Sequence, residues 1–189
     1  MDWHHYLGAR MNQSPDFVRY LCSMAQPLEF SALDSRADQY TELGKQWESL
    51  FRGERNRIAN LANATAVLKS AFDWHWIGFY LVNFKEDQLV LGPFQGPLAC
   101  TRLFHGKGVC AAAWDQKRPQ LVPNVEEFNG HVACSSLTQS EMVLPIIVDD
   151  RVVAVLDIDS EHLADFSNED LWGLTRLVDC IAEHWDQWE

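Results

Sequence analysis

Two apolar runs, EMVLPIIV (141–148) and RVVAVLDID (151–159), are separated only by Asp149 and Asp150. Runs of this length, rich in β-branched residues and broken by a short polar turn, commit the chain to an antiparallel hairpin. A second hairpin precedes it: HWIGFYLVNF (75–84), a KED turn (85–87) and a returning QLVLGPF. CTRLF reads as a short third strand and PQLV as another. Between them GKGVCAAAWDQKR opens on glycines and reads as a helix, while PNVEEFNGH is loop.

Helices flank the strands. Tyr40, Leu43, Trp47, Leu50 and Phe51 recur at helical spacing, and after Gly53 so do Ile58, Leu61, Ala62, Thr65, Leu68 and Phe72. At the other end Ser167 with Asp170 resembles a capping box ahead of the stripe Leu171, Leu174, Val178, Ile181 and Trp185. The expected architecture is α+β: a central antiparallel sheet, helices packed on one face, and a short crossover helix. Residues 1–32, with Pro15, Pro27 and weak periodicity, read as an irregular or partly helical extension, and residues 33–189 as one domain.

The net charge of −12 repels phosphate backbones, so neither nucleic acid nor an anionic membrane surface is an expected partner. No apolar run is long enough to span a bilayer, and the N-terminus lacks the basic and apolar regions of a secretory signal. Five cysteines in such a chain argue for reduced thiols and a cytoplasmic setting rather than a disulfide framework.

Three of those thiols are candidates for chemistry. Cys110 follows Gly106 and Gly108 in the first turn of its expected helix, where free N–H groups and the helix dipole favour a thiolate. The plainer reading packs it under the helix beside Ala111–Ala113. Cys134 lies in the polar loop NGHVACSSLTQSE, within reach of a ligand, or else anchors that loop. Cys100 leads a strand and on its own reads as core; Cys22 and Cys180 read as structural. His131 and Cys134 form H-x-x-C, but no tight cysteine knuckle accompanies them, so neither a metal nor another cofactor is expected.

Asp157 and Asp159 alternate onto one face at the end of an apolar strand, where two carboxylates repel and lose hydration. A two-residue turn at Asp149–Asp150 puts Glu141 on the opposite face. A three-residue loop, or a bulge near Pro145, puts it opposite Asp159. Convergence of the three would suit a cationic ligand, an amino group or a metal; the alternative is that they cap the following loop. Trp76 and Tyr80 share a strand face and either wall a small pocket or fill core, with Trp74 joining them if the strand extends back.

Taken together, WIGFYLV, LVLGPFQGPLAC, GKGVC, NGHVACSSLTQSEMVLPI and VVAVLDIDS closely resemble the GAF-domain free methionine-(R)-sulfoxide reductases, over residues 38–185 and with no departure at the motif positions. The resemblance implies a GAF-like fold and a thioredoxin-recycled reductase of free L-methionine (R)-sulfoxide, with a role under oxidative stress. It implies Cys134 as nucleophile, Cys100 as the thiol resolving its sulfenic acid, and Cys110 as an alternative or second resolving thiol. Glu141, Asp157, Asp159, Trp76 and Tyr80 would bind substrate. GAF domains often pair through helices, and the terminal helices have apolar stripes to spare, so a homodimer is compatible. Two rival expectations are a GAF module that senses a ligand or redox state, disfavoured because no output domain follows the last helix, and a peroxide-reducing thiol enzyme. The latter would want Arg or Thr flanking the nucleophile, which HVACSS does not offer.

Overall fold

The computed structural model describes residues 35–130 and 135–189. The expected N-terminal extension and Cys134 lie outside the described residues. Helix α1 (Arg36–Phe51) starts where the Ser35 hydroxyl accepts the Asp38 N–H, and α2 (Arg57–Ala71) where the Asn56 side chain accepts that of Ala59. The strands follow: β1 (Trp76–Asn83), β2 (Gln88–Gln95) and β3 (Arg102–Leu103). Helix α3 (Val109–Gln116) and β4 (Gln120–Val122) cross to the second hairpin, β5 (Ser140–Val148) and β6 (Arg151–Ser160), and α4 (Asn168–His184) closes the domain. Short 3-10 turns occupy Val125–Glu127 and Trp185–Gln187. Among the described residues no helix is long and apolar enough to cross a membrane.

The six strands form one antiparallel sheet in the order β3-β2-β1-β6-β5-β4, so the hairpin that dominates the sequence supplies central strands. Alternation divides the side chains between two cores. Ile77, Phe79, Met142, Leu144, Leu156 and Ile158 face α1, α2 and α4. Trp76, Tyr80, Val143, Val152 and Val155 face the other way, where α3 covers them with Val109, Cys110, Ala113 and Trp114. The three long helices therefore share one face, as the sequence predicts, and the short crossover helix takes the opposite face.

The β5–β6 turn resolves the register that the sequence leaves open. It is the two-residue turn: Val148 pairs with Arg151, and Asp149 and Asp150 both take left-handed φ values of 48° and 60°. Such values suit a type I′ hairpin, and aspartate tolerates them better than most residues. The pairing then slips by one: Ile147 lies opposite Val152 but Ile146 opposite Ala154. Val153 is the inserted residue, and Val153 and Ala154 consequently both join the helix-side core. A two-residue turn alone would set Glu141 against Ile158; after the bulge it stands against Asp159.

One polar cluster fixes α1 against α4. Asp170 is only 1% exposed and accepts from the Arg36 guanidinium at 2.7 Å, the Tyr40 hydroxyl at 2.9 Å and the Ser167 N–H at 2.8 Å. The last of these completes the capping box expected from Ser167 and Asp170. Asp170→Ala strands a buried hydroxyl, a guanidinium and a helix cap together, so urea unfolding should show a loss of about 3 kcal/mol. An unchanged midpoint would mean the cluster does not hold the helices.

Candidate active site

The bulge decides the site. With Glu141 opposite Asp159, and Asp157 opposite Val143 on the same face, three carboxyl groups converge at the open end of the central hairpin. Trp76 pairs with Asp159 across β1–β6 and so stands on that face too. Helix α3 brings the fourth group. Its N-cap is Gly108 at φ 83°, a conformation that favours glycine, and the turn places Cys110 beneath the acids. The Cys110 sulfur and one oxygen each of Glu141 and Asp157 all lie within 4.8 Å of one another. Cys110, Glu141 and Asp157 are 5%, 7% and 7% exposed.

Two unit charges about 5 Å apart repel by about 3 kcal/mol at an effective dielectric of about 20, and burial adds a desolvation cost to each. The site therefore retains protons or takes a cation. Burial, then the Asp157 and Asp159 charges, drive the Glu141 carboxyl well above the usual range. Burial and Asp157 do the same to Asp159. Asp157 is pushed up by burial to about 6, restrained by hydrogen bonds from Cys110, Glu141 and the Ile158 N–H. Its Oδ1 has no hydrogen-bond partner among the described residues. The spacing would admit a cation between the Cys110 sulfur and these oxygens, and equally the ammonium group of a small ligand.

Of the two readings of Cys110, the structure shows the packed one. A helix N-terminus favours thiolate, but burial, followed by the Asp157 and Glu141 charges, raises this thiol far above its ordinary value. Helix-dipole stabilisation is worth at most about 2 kcal/mol. It is outweighed here by desolvation and three nearby acids, which the sequence pattern around Cys110 does not reveal.

The aromatic wall forms from Trp76, Tyr80 and Phe94. The Trp76 ring stacks with Tyr80 at 6.0 Å and with Phe94 at 5.4 Å. Gly78, between them on the strand, makes this possible: a Cβ there would lie 2.2 Å from the Trp76 ring and 2.5 Å from Phe94 Cβ. Both polar handles reach the segment that carries Cys100. Trp76 Nε1 donates to the Pro97 carbonyl at 3.1 Å and the Tyr80 hydroxyl to the Cys100 carbonyl at 3.0 Å. Trp74 does not join them. Strand β1 starts at Trp76, and Trp74 packs on the helix side, stacked on Phe72 at 4.3 Å.

A cleft opens over these groups, lined by Tyr80, Cys110, Ser135, Glu141, Asp157 and Asp159 among others. A larger groove, about 610 Å³, runs between α1 and α4, but none of the candidate site residues lines it. The glycine turn at one rim is tied down twice. His105 bonds Asp115 and Asp87, with the Asp115 bond the main cause of its raised pKa, and the Gly108 N–H donates to the Gly130 carbonyl at 2.9 Å. Sequence reasoning passes over His75, which bonds Ser135, a residue that lines the cleft, and Glu161. Its one sequence signal is a histidine between two tryptophans at the head of a buried strand.

Glu141→Gln tests the electrostatics. A raised folded-state pKa means that Glu141 stabilises the fold fully below its unfolded value near 4.5 and loses that contribution as pH climbs through the raised value. The amide cannot titrate. Urea unfolding should show the variant gaining on the parent between pH 5 and pH 8; a difference independent of pH would refute the raised carboxyl.

The GAF domain family model matches residues 55–186. GAF domain-containing protein A of Dictyostelium discoideum is 51% identical over 82% of this chain and 97% of its own length. The free methionine-R-sulfoxide reductase of Escherichia coli is 41% identical over 76% of this chain and 87% of its own. Among solved structures, free methionine-R-sulfoxide reductase from Neisseria meningitidis in complex with its substrate superposes with a TM-score of 0.81 at 46% identity, covering 82% of this chain and 93% of that one. On this evidence the chain belongs to the GAF-domain family, in the group that includes the free methionine-R-sulfoxide reductases.

Proposed function

We propose that this chain reduces free L-methionine (R)-sulfoxide to L-methionine, with Cys134 as nucleophile. The observation that carries the reading is the crowding of Glu141, Asp157 and Asp159 in one cleft beside an aromatic wall. Such a cleft offers a proton to an oxygen and negative charge to an ammonium group. Free methionine sulfoxide presents both; a methionine sulfoxide residue inside a chain has no ammonium there. The reductases named above, at 41% and 46% identity, support the choice of substrate.

The chemistry balances in three steps. The Cys134 thiolate attacks the sulfoxide sulfur while a protonated carboxyl, Glu141 by its burial, delivers a proton to the oxygen. The S–O bond of the substrate breaks, and the products are the thioether and a Cys134 sulfenic acid; substrate sulfur gains two electrons and cysteine sulfur loses two. A second thiol then condenses with the sulfenic acid, forming a disulfide and releasing water. An external dithiol of the thioredoxin class finally reduces that disulfide by exchange. This cycle suits a reducing compartment, the cytoplasm.

Cys100 is the better resolving thiol. It is half-buried on the segment that Trp76 and Tyr80 hold, whereas Cys110 is kept protonated by its burial and the neighbouring acids and so is a poor nucleophile. Cys110 acts as the second resolver when Cys100 is removed. Trp76 and Tyr80 face the methyl and sulfoxide end of the substrate.

The test is a chiral chromatographic assay of both epimers with dithiothreitol or a thioredoxin system. The R epimer alone should disappear as methionine appears. Cys134→Ser should abolish turnover, and Cys100→Ser should cut thioredoxin-driven turnover at least tenfold while leaving a first, stoichiometric burst. Full activity in Cys134→Ser would remove the nucleophile assignment; consumption of neither epimer by the parent would point to a sensor site.

A further inference from the structure

We propose that Cys110, Glu141 and Asp157 form a binding site for a thiophilic divalent cation, Zn²⁺ by its chemistry, and that the bound ion shuts substrate out of the cleft. The site stands on its own geometry; the competition with substrate rests on the reductase reading above.

Three elements supply the ligands. Cys110 comes from the first turn of α3, Glu141 from the start of β5 and Asp157 from β6. The sulfur and one oxygen of each carboxylate lie within 4.8 Å of one another. In a tetrahedral zinc site Zn–S is about 2.3 Å and Zn–O about 2.1 Å, so ligand atoms sit about 3.6 Å apart. The widest separation in this cluster therefore exceeds the ideal by only about 1 Å.

A second observation, independent of the spacing, points to a ligand. Asp157 is 7% exposed, yet its Oδ1 has no hydrogen-bond partner among the described residues. A buried polar atom left unpaired carries its full desolvation penalty, and native structures keep few of them. No basic side chain answers the acids either. Among the described residues no lysine, arginine or histidine forms an ion pair with Glu141, Asp157 or Asp159. A cation seated against Oδ1 supplies both the missing partner and the missing charge.

The donor set selects the ion. Mg²⁺ demands octahedral oxygen coordination and Ca²⁺ takes about six to eight oxygens. Two carboxylates and a sulfur satisfy neither. Zn²⁺ accepts mixed sulfur and oxygen ligands, and a coordinating thiol gives up its proton outright. The Cys110 thiol and the Glu141 carboxyl bond Asp157. On metal binding their protons pass to solvent, and bonds to zinc replace S–H and O–H. Three protein ligands leave one tetrahedral position open, and water reaches it through the cleft that all three residues line. The ion engages the same carboxyl groups that the proposed cycle uses. Glu141 loses the proton it would deliver, and the substrate ammonium loses its counter-charge. Zinc is thus an inhibitor of this site, not a cofactor.

The experiment uses the full chain, reduced and then freed of small thiols, because dithiothreitol itself chelates zinc. The parent, Cys110→Ser and Asp157→Asn are compared. Zn²⁺ affinity is measured against a chromophoric chelator, with Mg²⁺ as competitor. Co²⁺ then replaces Zn²⁺, since a thiolate ligand gives cobalt an intense charge-transfer band in the near ultraviolet. Finally, a single turnover of the R sulfoxide is timed with and without Zn²⁺, each protein against its own metal-free rate. The parent should hold one Zn²⁺ per chain that Mg²⁺ does not displace, and should show the cobalt band. Each substitution should weaken Zn²⁺ at least about tenfold. Cys110→Ser should remove the band, although four other cysteines remain in the chain. At about ten times its Kd, Zn²⁺ should slow the parent's single turnover about tenfold at low sulfoxide, and more sulfoxide should restore the rate. A cobalt band that survives Cys110→Ser, or zinc affinity unchanged in both variants, overturns the site. Inhibition that sulfoxide does not relieve overturns the competition. If Asp157→Asn does not fold, Cys110→Ser decides alone, since it exchanges one sulfur for oxygen. If the parent turns over neither epimer, the reductase reading fails, and zinc affinity and the cobalt band still decide the metal site.

Discussion

Like charges held together at a sheet end are the constraint around which the site is built. Glu141, Asp157 and Asp159 share a face because one extra residue, Val153, is inserted in β6. Without it Glu141 would stand opposite Ile158, on the other face of the sheet from the two aspartates. With it the acids crowd one another and rise in pKa together. The rest of the fold tolerates this because the other face is so thoroughly apolar. Three helices bury Leu43, Trp47, Leu61, Leu68, Leu174 and Ile181 against the sheet, leaving the α3 face to hold costly groups.

The same bulge explains which parts of the site could be read from sequence. Alternation in VVAVLDIDS places Asp157 and Asp159 on one face with no further information. Glu141 could not be placed, because the two-residue turn and the three-residue turn assign it to opposite faces, and a bulge reverses the answer again. Bulges depend on packing across strands, and the pair Val153–Ala154 looks like any other stretch of strand. Helices, both hairpins and the capping box were legible because each rests on local spacing and capping chemistry. Cys110 was legible in a helix's first turn, but its character stayed open between thiolate and packed thiol, because the burial and the acids that decide it come from Glu141 and Asp157, 31 and 47 positions away. Trp74 was left conditional for a similar reason: nothing local says whether β1 extends back to it, and it begins at Trp76. His75 escaped notice because its partners, Ser135 and Glu161, are distant in sequence and ordinary in composition.

Aromatic residues do two unlike jobs on the two faces. On the helix side Phe72, Trp74 and Phe166 pack as core around the N-terminus of α4, and the Arg36 guanidinium lies over the Phe72 and Trp74 rings. On the cleft side Trp76 and Tyr80 are equally buried, yet each extends a donor to the backbone at Pro97 and Cys100. Their rings therefore set the cleft wall and, through those bonds, the path of the segment bearing Cys100. Gly78 links these roles, because any side chain there would push the Trp76 ring off Phe94 and slacken the hold on that segment.

On the proposed reading, this geometry also accounts for choosing a free amino acid. An aromatic wall and a proton donor would serve any methyl sulfoxide, including one in a peptide. The additional acids change the balance. Ionised together they are mutually destabilising, and relief comes either from protons they retain or from a positive charge brought among them. An ammonium group supplies it and is desolvated at little net loss, since it exchanges water for carboxylate. A peptide carries an uncharged amide at that position and would leave the repulsion in place while burying another polar group. Selectivity then follows less from added attraction than from repulsion among the acids, which a cationic substrate relieves without their having to hold extra protons.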